Sequence, residues 1–306
     1  MPKQLVRNQD LASDTARLNL LTNPGFEIWG RGNTAYSLNG NGSSNGALLA
    51  DRWQGFAGGD GTGGFSSMGQ QAGENGVGYA LNFQAGSGNT GSVSAPGFVY
   101  QMLQTGNLKF LSGKTVTFSA RVETANGGVR LKLEDSSATN NYYSAYHPGN
   151  GTWQTLSVTG TISTSSTNSS VKVLCESAAG GFVVDNATLV VGLVPMTFVP
   201  LHPHDDLDRC LRYYEMLGPV PNYPQVKGCA TGANINIGAN FAFAAKKAGT
   251  PTLTTGGTWV YSNVGAALSV YSGGVHGLFV QALSQALGEA TYYSNGSGYF
   301  AAEYNP

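Results

Sequence analysis

Charge is scarce in this chain: Asp, Glu, Lys and Arg together make up 11% of its 306 residues, against about a quarter in a typical soluble protein. With a net charge of -1 and no basic run longer than Lys246-Lys247, nothing neutralises a row of phosphates. Nucleic-acid binding is excluded on that ground. Long hydrophobic runs are also missing. The most apolar stretch, 187–201, is broken by Pro195 and Pro200 and is too short to span a bilayer, so no membrane insertion is expected. The first residues lack the apolar core of a secretion signal, which predicts a chain made in a reducing cytoplasm. Cysteine is limited to Cys175, Cys210 and Cys229, an odd and scattered set without the close spacing of a zinc or redox motif, so free thiols are expected. Helical periodicity is nearly absent as well.

What the chain has in quantity is glycine, 44 residues, with Ser, Thr and Asn filling most remaining polar positions. Such a surface stays soluble through hydroxyls and amides and suits packing into an assembly or contact with sugars. Stretches such as Asn39–Gly46 and Gly58–Gly64 read as loops, because Gly and Asn enter positive-φ conformations cheaply. Between such stretches the period is two. Val116, Phe118, Ala120 and Val122 alternate with Thr117, Ser119 and Arg121, which predicts a half-buried strand. The pattern returns in Val129-Arg130-Leu131-Lys132-Leu133, around Leu156 and Val158, in Val171 and Val173, and in 182–191. Short strands joined by Gly/Ser/Asn turns predict an all-β fold, a jelly-roll β-sandwich.

One helix is predicted, over Asp205–Leu217. Pro203 precedes it, three aspartates crowd its first turn, and Leu207, Leu211, Tyr214 and Leu217 fall on one face. Alternation resumes after about Tyr223. The expected organisation is an N-terminal arm (1–18), the jelly-roll sandwich (19–196), a short helical connector (197–222) and a smaller C-terminal β domain (223–306).

Several of these segments carry a resemblance. Asn23-Pro24-Gly25-Phe26-Glu27-Ile28-Trp29, followed by Ala50-Asp51-Arg52-Trp53, is similar to the opening of a family of phage and prophage tail-fibre-like virion proteins. Phe198-Val199-Pro200, Arg209-Cys210-Leu211-Arg212-Tyr213-Tyr214-Glu215 and Pro251-Thr252-Leu253-Thr254 resemble that family's connector and following strand. The resemblance implies a virion protein of tail-fibre or head-fibre type, assembled in the host cytoplasm. It also implies a homotrimer bound to other tail or capsid proteins, and adsorption to a host surface polysaccharide. The sandwich separately resembles carbohydrate-binding jelly rolls, through Asn23-Pro24-Gly25-Phe26-Glu27 at its start and Val184-Asp185-Asn186-Ala187-Thr188-Leu189 at its end. That likeness implies a structural calcium at Glu27 and Asp185; no other cofactor is expected.

Candidate glycan-binding residues follow from aromatic rings set among amides and hydroxyls, which is how proteins hold sugar rings. They are Tyr142, Tyr143, Tyr146 and Trp153 in the sandwich and Tyr292, Tyr293 and Tyr299 in the terminal domain. Tyrosines are also enriched at subunit interfaces, and a tryptophan before a strand also suits a core or edge position. No catalytic residue is expected. Asp205, Asp206 and Asp208 serve a helix start, His202 and His204 lack a third metal ligand, and Gly59–Gly64 matches a dinucleotide fingerprint without the helix that fingerprint needs. A purely structural capsid fibre and a glycan-depolymerising tailspike remain the alternatives to an adsorption protein.

Overall fold

The computed structural model of the chain describes residues 18–32, 36–39, 47–48, 50–56, 65–84, 96–103, 105–135, 139–166, 171–178, 180–218, 224–294 and 297–304. The expected arm, apart from Leu18, and the glycine-rich stretches 40–46 and 58–64 lie outside them. The chain divides into two compact units, with the division in sequence between Leu207 and Asp208.

The first unit is a jelly-roll sandwich of two six-stranded antiparallel sheets, as the alternation predicts. The first sheet runs, edge to edge, β1 (Tyr36–Asn39), β4 (Phe65–Ala72), β5 (Tyr79–Gln84), β12 (Phe182–Val191), β7 (Thr115–Glu123) and β10 (Gln154–Thr161). The second runs β2 (Ala47–Leu48), β3 (Gln54–Phe56), β6 (Gly97–Met102), β11 (Val171–Ser177), β8 (Val129–Asp135) and β9 (Asn140–Tyr143). Sequence neighbours are repeatedly sent to opposite sheets. Alternation then fixes the core, because successive side chains of a strand point to opposite faces. Val116, Phe118, Ala120 and Val122 of β7 turn inward against Leu131, Leu133, Val173, Val184 and Leu189. On the other side of β7, Thr115 pairs with Thr161 at 3.1 Å and Thr117 with Thr159 at 2.9 Å, the cross-strand threonine contacts that knit sheet edges.

The opening motif ties the sandwich shut. Asn23 is fully buried at φ 51°. Its side chain accepts from Ile28 N–H at 3.0 Å and donates to the carbonyls of Ile28 at 2.9 Å and Asp51 at 3.2 Å. The Trp53 indole donates back to the Asn23 carbonyl at 2.9 Å and packs on Phe26, with ring centroids 4.8 Å apart. Asn tolerates the left-handed region better than other non-glycine residues, which accounts for its place here.

The helical expectations need correction. A short helix, α1 (Thr105–Leu111), occurs where none was expected, and Leu108 and Leu111 dock it on the core. The predicted 205–217 helix is shorter and starts earlier, as α2 (Pro203–Leu211), with proline at its first position and Asp205 and Asp206 in its first turn. Beyond it the chain becomes β13 (Tyr214–Leu217), paired with β21 (Tyr299–Glu303). Tertiary pairing overrides the helical spacing, since Tyr213 and Tyr214 are buried in that arrangement. The expected connector is therefore shared between the two units.

The second unit, Asp208–Asn305, holds three three-stranded antiparallel sheets. β13 and β21 are joined by β16 (Thr252–Gly256); β14 (Gln225–Ala230), β20 (Gly288–Ser294) and β17 (Trp259–Ser262) form the second sheet; β15 (Asn236–Ala242), β19 (Gly277–Ser284) and β18 (Val264–Ser272) form the third. Their shared core includes Val226, Ile237, Val280, Tyr292 and Phe300, with Trp259 against Tyr292 and Phe300 at centroid distances of 5.3 and 4.8 Å.

Candidate functional site

Residues paired across strands share a face, so the register of the second sheet of the sandwich assembles its outer surface. One row runs Gln54, Tyr100, Leu174, Lys132, Tyr143, and a neighbouring row runs Phe56, Phe98, Glu176, Arg130. A third contains Met102, Lys172, Glu134 and Asn141. At its β9 end the Arg130 guanidinium is bracketed by two tyrosines, 3.8 Å from the Tyr143 ring centroid and 4.8 Å from that of Tyr146. Those rings are 44% and 51% exposed, so each has surface left for a ligand. At the other end Phe56 stacks on Phe98 at 4.9 Å, and Tyr100 donates its hydroxyl to Gln54 Oε1 at 2.5 Å. Burial pushes the Tyr100 phenol up.

The charges between these aromatic ends are paired. Arg130 Nε lies 2.7 Å from Glu176, and Glu134 lies 2.6 Å from Lys132 and 3.4 Å from Lys172. Burial alone would raise the Glu134 carboxyl, but hydrogen bonding and charge from Lys132, and then from Lys172, outweigh it and hold the group below its ordinary value. The face therefore offers fixed, polarised donors and acceptors between aromatic surfaces.

Of the four tyrosine and tryptophan candidates in the sandwich, the structure brings Tyr143 and Tyr146 together. Tyr142 turns to the opposite side of β9, where its ring covers Gly160 and its hydroxyl donates to the Thr161 carbonyl at 3.1 Å. Trp153 is half-buried just before β10, the edge of the other sheet. Sequence reasoning passed over Phe56, Phe98, Tyr100, Arg130 and Lys132. A signal existed, because Arg130, Lys132 and Glu134 alternate with Val129, Leu131 and Leu133, but alternation does not name the strands alongside.

The first sheet has its own polar surface. Arg121 makes a two-pronged ion pair with Glu74 and donates to Thr155 Oγ1 at 3.1 Å. The pair borders a cleft of about 340 Å³ under Pro195–Phe198. Beside it, β12 carries a bulge between Asp185 and Thr188, with Asn186 at φ 51°. Asp185 is buried and accepts from Asn186 N–H at 2.6 Å. Burial, and then the charges of Glu27 and Glu74, push its carboxyl up to about 7 against the lowering effect of the Asn186 and Glu74 N–H groups. Glu27 Oε1 accepts from Tyr79 N–H at 3.1 Å. Asp185 Oδ2 and the Val77 carbonyl converge on Gly73, where a β-carbon would lie 3.1 and 2.3 Å from them. Hard oxygen atoms thus gather around Asp185, the chemistry calcium prefers. Among the described residues no three His, Cys, Asp or Glu side chains form a metal-holding group, so a cation here would rely on backbone carbonyls to complete its shell.

In the second unit Tyr292 is 5% exposed and belongs to the core. Tyr293, next along β20, faces outward at 38% exposure. Tyr299 is half-buried with its ring over Gly256, where a β-carbon would meet it at 2.4 Å. These three are not gathered into one site.

No family model matches the chain, and no curated protein matches it. Several solved structures show a partial similarity to it. The C-terminal family 22 carbohydrate-binding module of Clostridium thermocellum Xyn10B is 15% identical, covering 53% of this chain and 96% of the module at a TM-score of 0.34. A putative sugar-binding protein from Bacteroides thetaiotaomicron is 11% identical over 57% of this chain and 100% of its own, with a TM-score of 0.36. The enzymatically active domain of bacteriophage CBA120 tailspike protein 4 is 9% identical, and the match covers 57% of this chain and 22% of that one at a TM-score of 0.33.

Proposed function

We propose that this chain is a glycan-binding virion protein of tail-fibre or head-fibre type, which holds a saccharide on the outer face of the second sheet of its sandwich. The observation that carries the glycan reading is the Arg130 guanidinium held between Tyr143 and Tyr146. Aromatic faces suit the apolar C–H patches of sugar rings, and the neighbouring ion pairs present oriented partners for hydroxyls. Because those side chains are fixed before a ligand arrives, less conformational freedom is lost on binding. The virion assignment rests on the opening and connecting motifs of the sequence. In a homotrimer on a particle, several weak sugar contacts would act together, raising apparent affinity by roughly 10²–10⁴.

The reading is of binding rather than cleavage. A glycosidase needs one carboxyl kept protonated as general acid, whereas Glu134 and Glu176 on this face are salt-bridged to lysines and arginine. Calcium belongs to the proposal as a structural ion at Asp185, on the opposite sheet, and Glu27, in the opening loop.

The test is binding of the purified chain to immobilised bacterial capsular polysaccharides and lipopolysaccharides. Saturable binding is expected, competed by the soluble polysaccharide and weakened at least about tenfold in Tyr143→Ala/Tyr146→Ala, a change of about 1.4 kcal/mol. Absence of saturable binding would favour a purely structural fibre. Release of oligosaccharides during incubation would make the protein a depolymerase instead.

A further inference from the structure

We infer a second saccharide-binding face, specific for uncharged glycan, on the outer surface of the β15–β19–β18 sheet in the second unit. It goes beyond the site proposed above and stands or falls without it. The pairing places Asn240, Phe279 and Tyr271 in one row and Gly238, Gln281 and Ser269 in the next, while Asn236 sits opposite Leu283. Alternate residues of these strands, Ile237, Val280 and Ala282 among them, are buried in the core, so the first set faces outward.

The geometry of that set is specific. Gly238 has no side chain, and a β-carbon there would meet the Phe279 ring at 2.6 Å. The ring therefore lies down over the glycine on the neighbouring strand and presents its free π face outward. Tyr271 stands beside it, with ring centroids 6.3 Å apart and planes inclined by 30°. Gln281 Nε2 donates to the Tyr271 hydroxyl at 3.0 Å, which positions the ring and leaves the hydroxyl proton available to a ligand. Asn236 and Asn240 are exposed, and among the described residues neither side-chain amide has a hydrogen-bond partner.

Two adjacent aromatic faces flanked by unsatisfied amides and a hydroxyl match a pyranose chain, with apolar C–H faces and peripheral hydroxyls. No Asp, Glu, Lys or Arg lies among these outward residues of the three strands. An acidic saccharide would find no counter-charge here, and that selects an uncharged ligand. A second copy of this chain is the competing occupant. A subunit interface core, however, buries few groups that lack partners, and the two open asparagine amides suit hydroxyls better.

The experiment is affinity electrophoresis of the full chain through native gels containing soluble starch, dextran, galactomannan or xyloglucan. The background is Tyr143→Ala/Tyr146→Ala, so that the contribution of the sandwich site is reduced at least about tenfold. Retardation is expected in at least one of these neutral gels. Adding Phe279→Ala or Tyr271→Ala should weaken it about tenfold, the equivalent of about 1.4 kcal/mol, while Tyr271→Phe, which keeps the ring, should retain most of it. Sedimentation should show the same oligomeric state in every variant. Failure of the background chain to be retarded in any of the four gels overturns the inference and leaves the sandwich site standing. Retardation unchanged by the Phe279 and Tyr271 variants, or an altered oligomeric state in them, overturns it equally.

Discussion

Replacing Lys247 by methionine is expected to destabilise the second unit by about 3–5 kcal/mol, the usual consequence of leaving one member of a buried ion pair alone. The Lys247 side chain has no solvent exposure and that of Glu215 has 6%. The ammonium donates to Glu215 Oε2 and to the Leu211 carbonyl, each at 2.5 Å, and lies 4.6 Å from the Phe243 ring centroid. The other Glu215 oxygen accepts from Ala244 N–H at 2.9 Å. Burial pulls the lysine below its ordinary value, and the hydrogen bond and charge of Glu215 draw it back. Without Lys247 the carboxylate would be desolvated against one N–H and no cation. Denaturant titration followed by the fluorescence of Trp259, which packs in the same core, would measure the loss. Lys247→Met/Glu215→Leu should recover much of it, since removing both charges costs far less than removing one. A single variant within about 1 kcal/mol of the parent would show that the pair is not buried as described.

A second large effect is expected from pH and calcium at Asp185. Unfolded, this carboxyl ionises near 3.8, and folded it ionises at about 7. Between those values the folded chain holds the extra proton, so stability falls as pH rises through that interval and stays reduced above it. The full difference is of the order of 4 kcal/mol. In chelator, the melting temperature should therefore drop between about pH 4 and 7, and by less in Asp185→Asn. The proposed calcium would bind the ionised form and so reverse the loss. It should raise the melting temperature at pH 8 in the parent, raise it little at pH 4, and have no effect on Asp185→Asn. A parent and variant with parallel pH profiles would refute the buried-carboxyl account. A parent indifferent to calcium at pH 8 would remove the cation from the proposal.

How far these sites could be read from residues alone differs between them. Glu27 and Asp185 were found because the segments that hold them resemble the first and last strands of sugar-binding sandwiches, and the structure sets their charges against one another. Tyr143 and Tyr146 were found from composition, as rings among amides, but the same criterion chose Tyr142, which turns away from them, and Tyr292, which is core. Lys247 entered the sequence reading only as half of the longest basic run, Lys246-Lys247. Nothing local marks it as buried, because its partner Glu215 is 32 residues away.

By itself the sequence determined the class of fold and the two-sidedness of its strands. Side-chain direction alternates with a period of two whatever the strand is paired with, so Val129, Leu131 and Leu133 had to lie opposite Arg130 and Lys132. Glycine and asparagine likewise marked many of the corners, as only they turn there at low cost. Which strands lie side by side was decided by tertiary structure. The row Gln54, Tyr100, Leu174, Lys132, Tyr143 draws on five separate strands, and its order follows from hydrogen-bonding register that no local pattern encodes. The same non-local pairing turned 214–217 from helix to strand and laid Phe279 over Gly238. Faces follow from the chain's own geometry, and neighbours follow from closing distant segments into sheets.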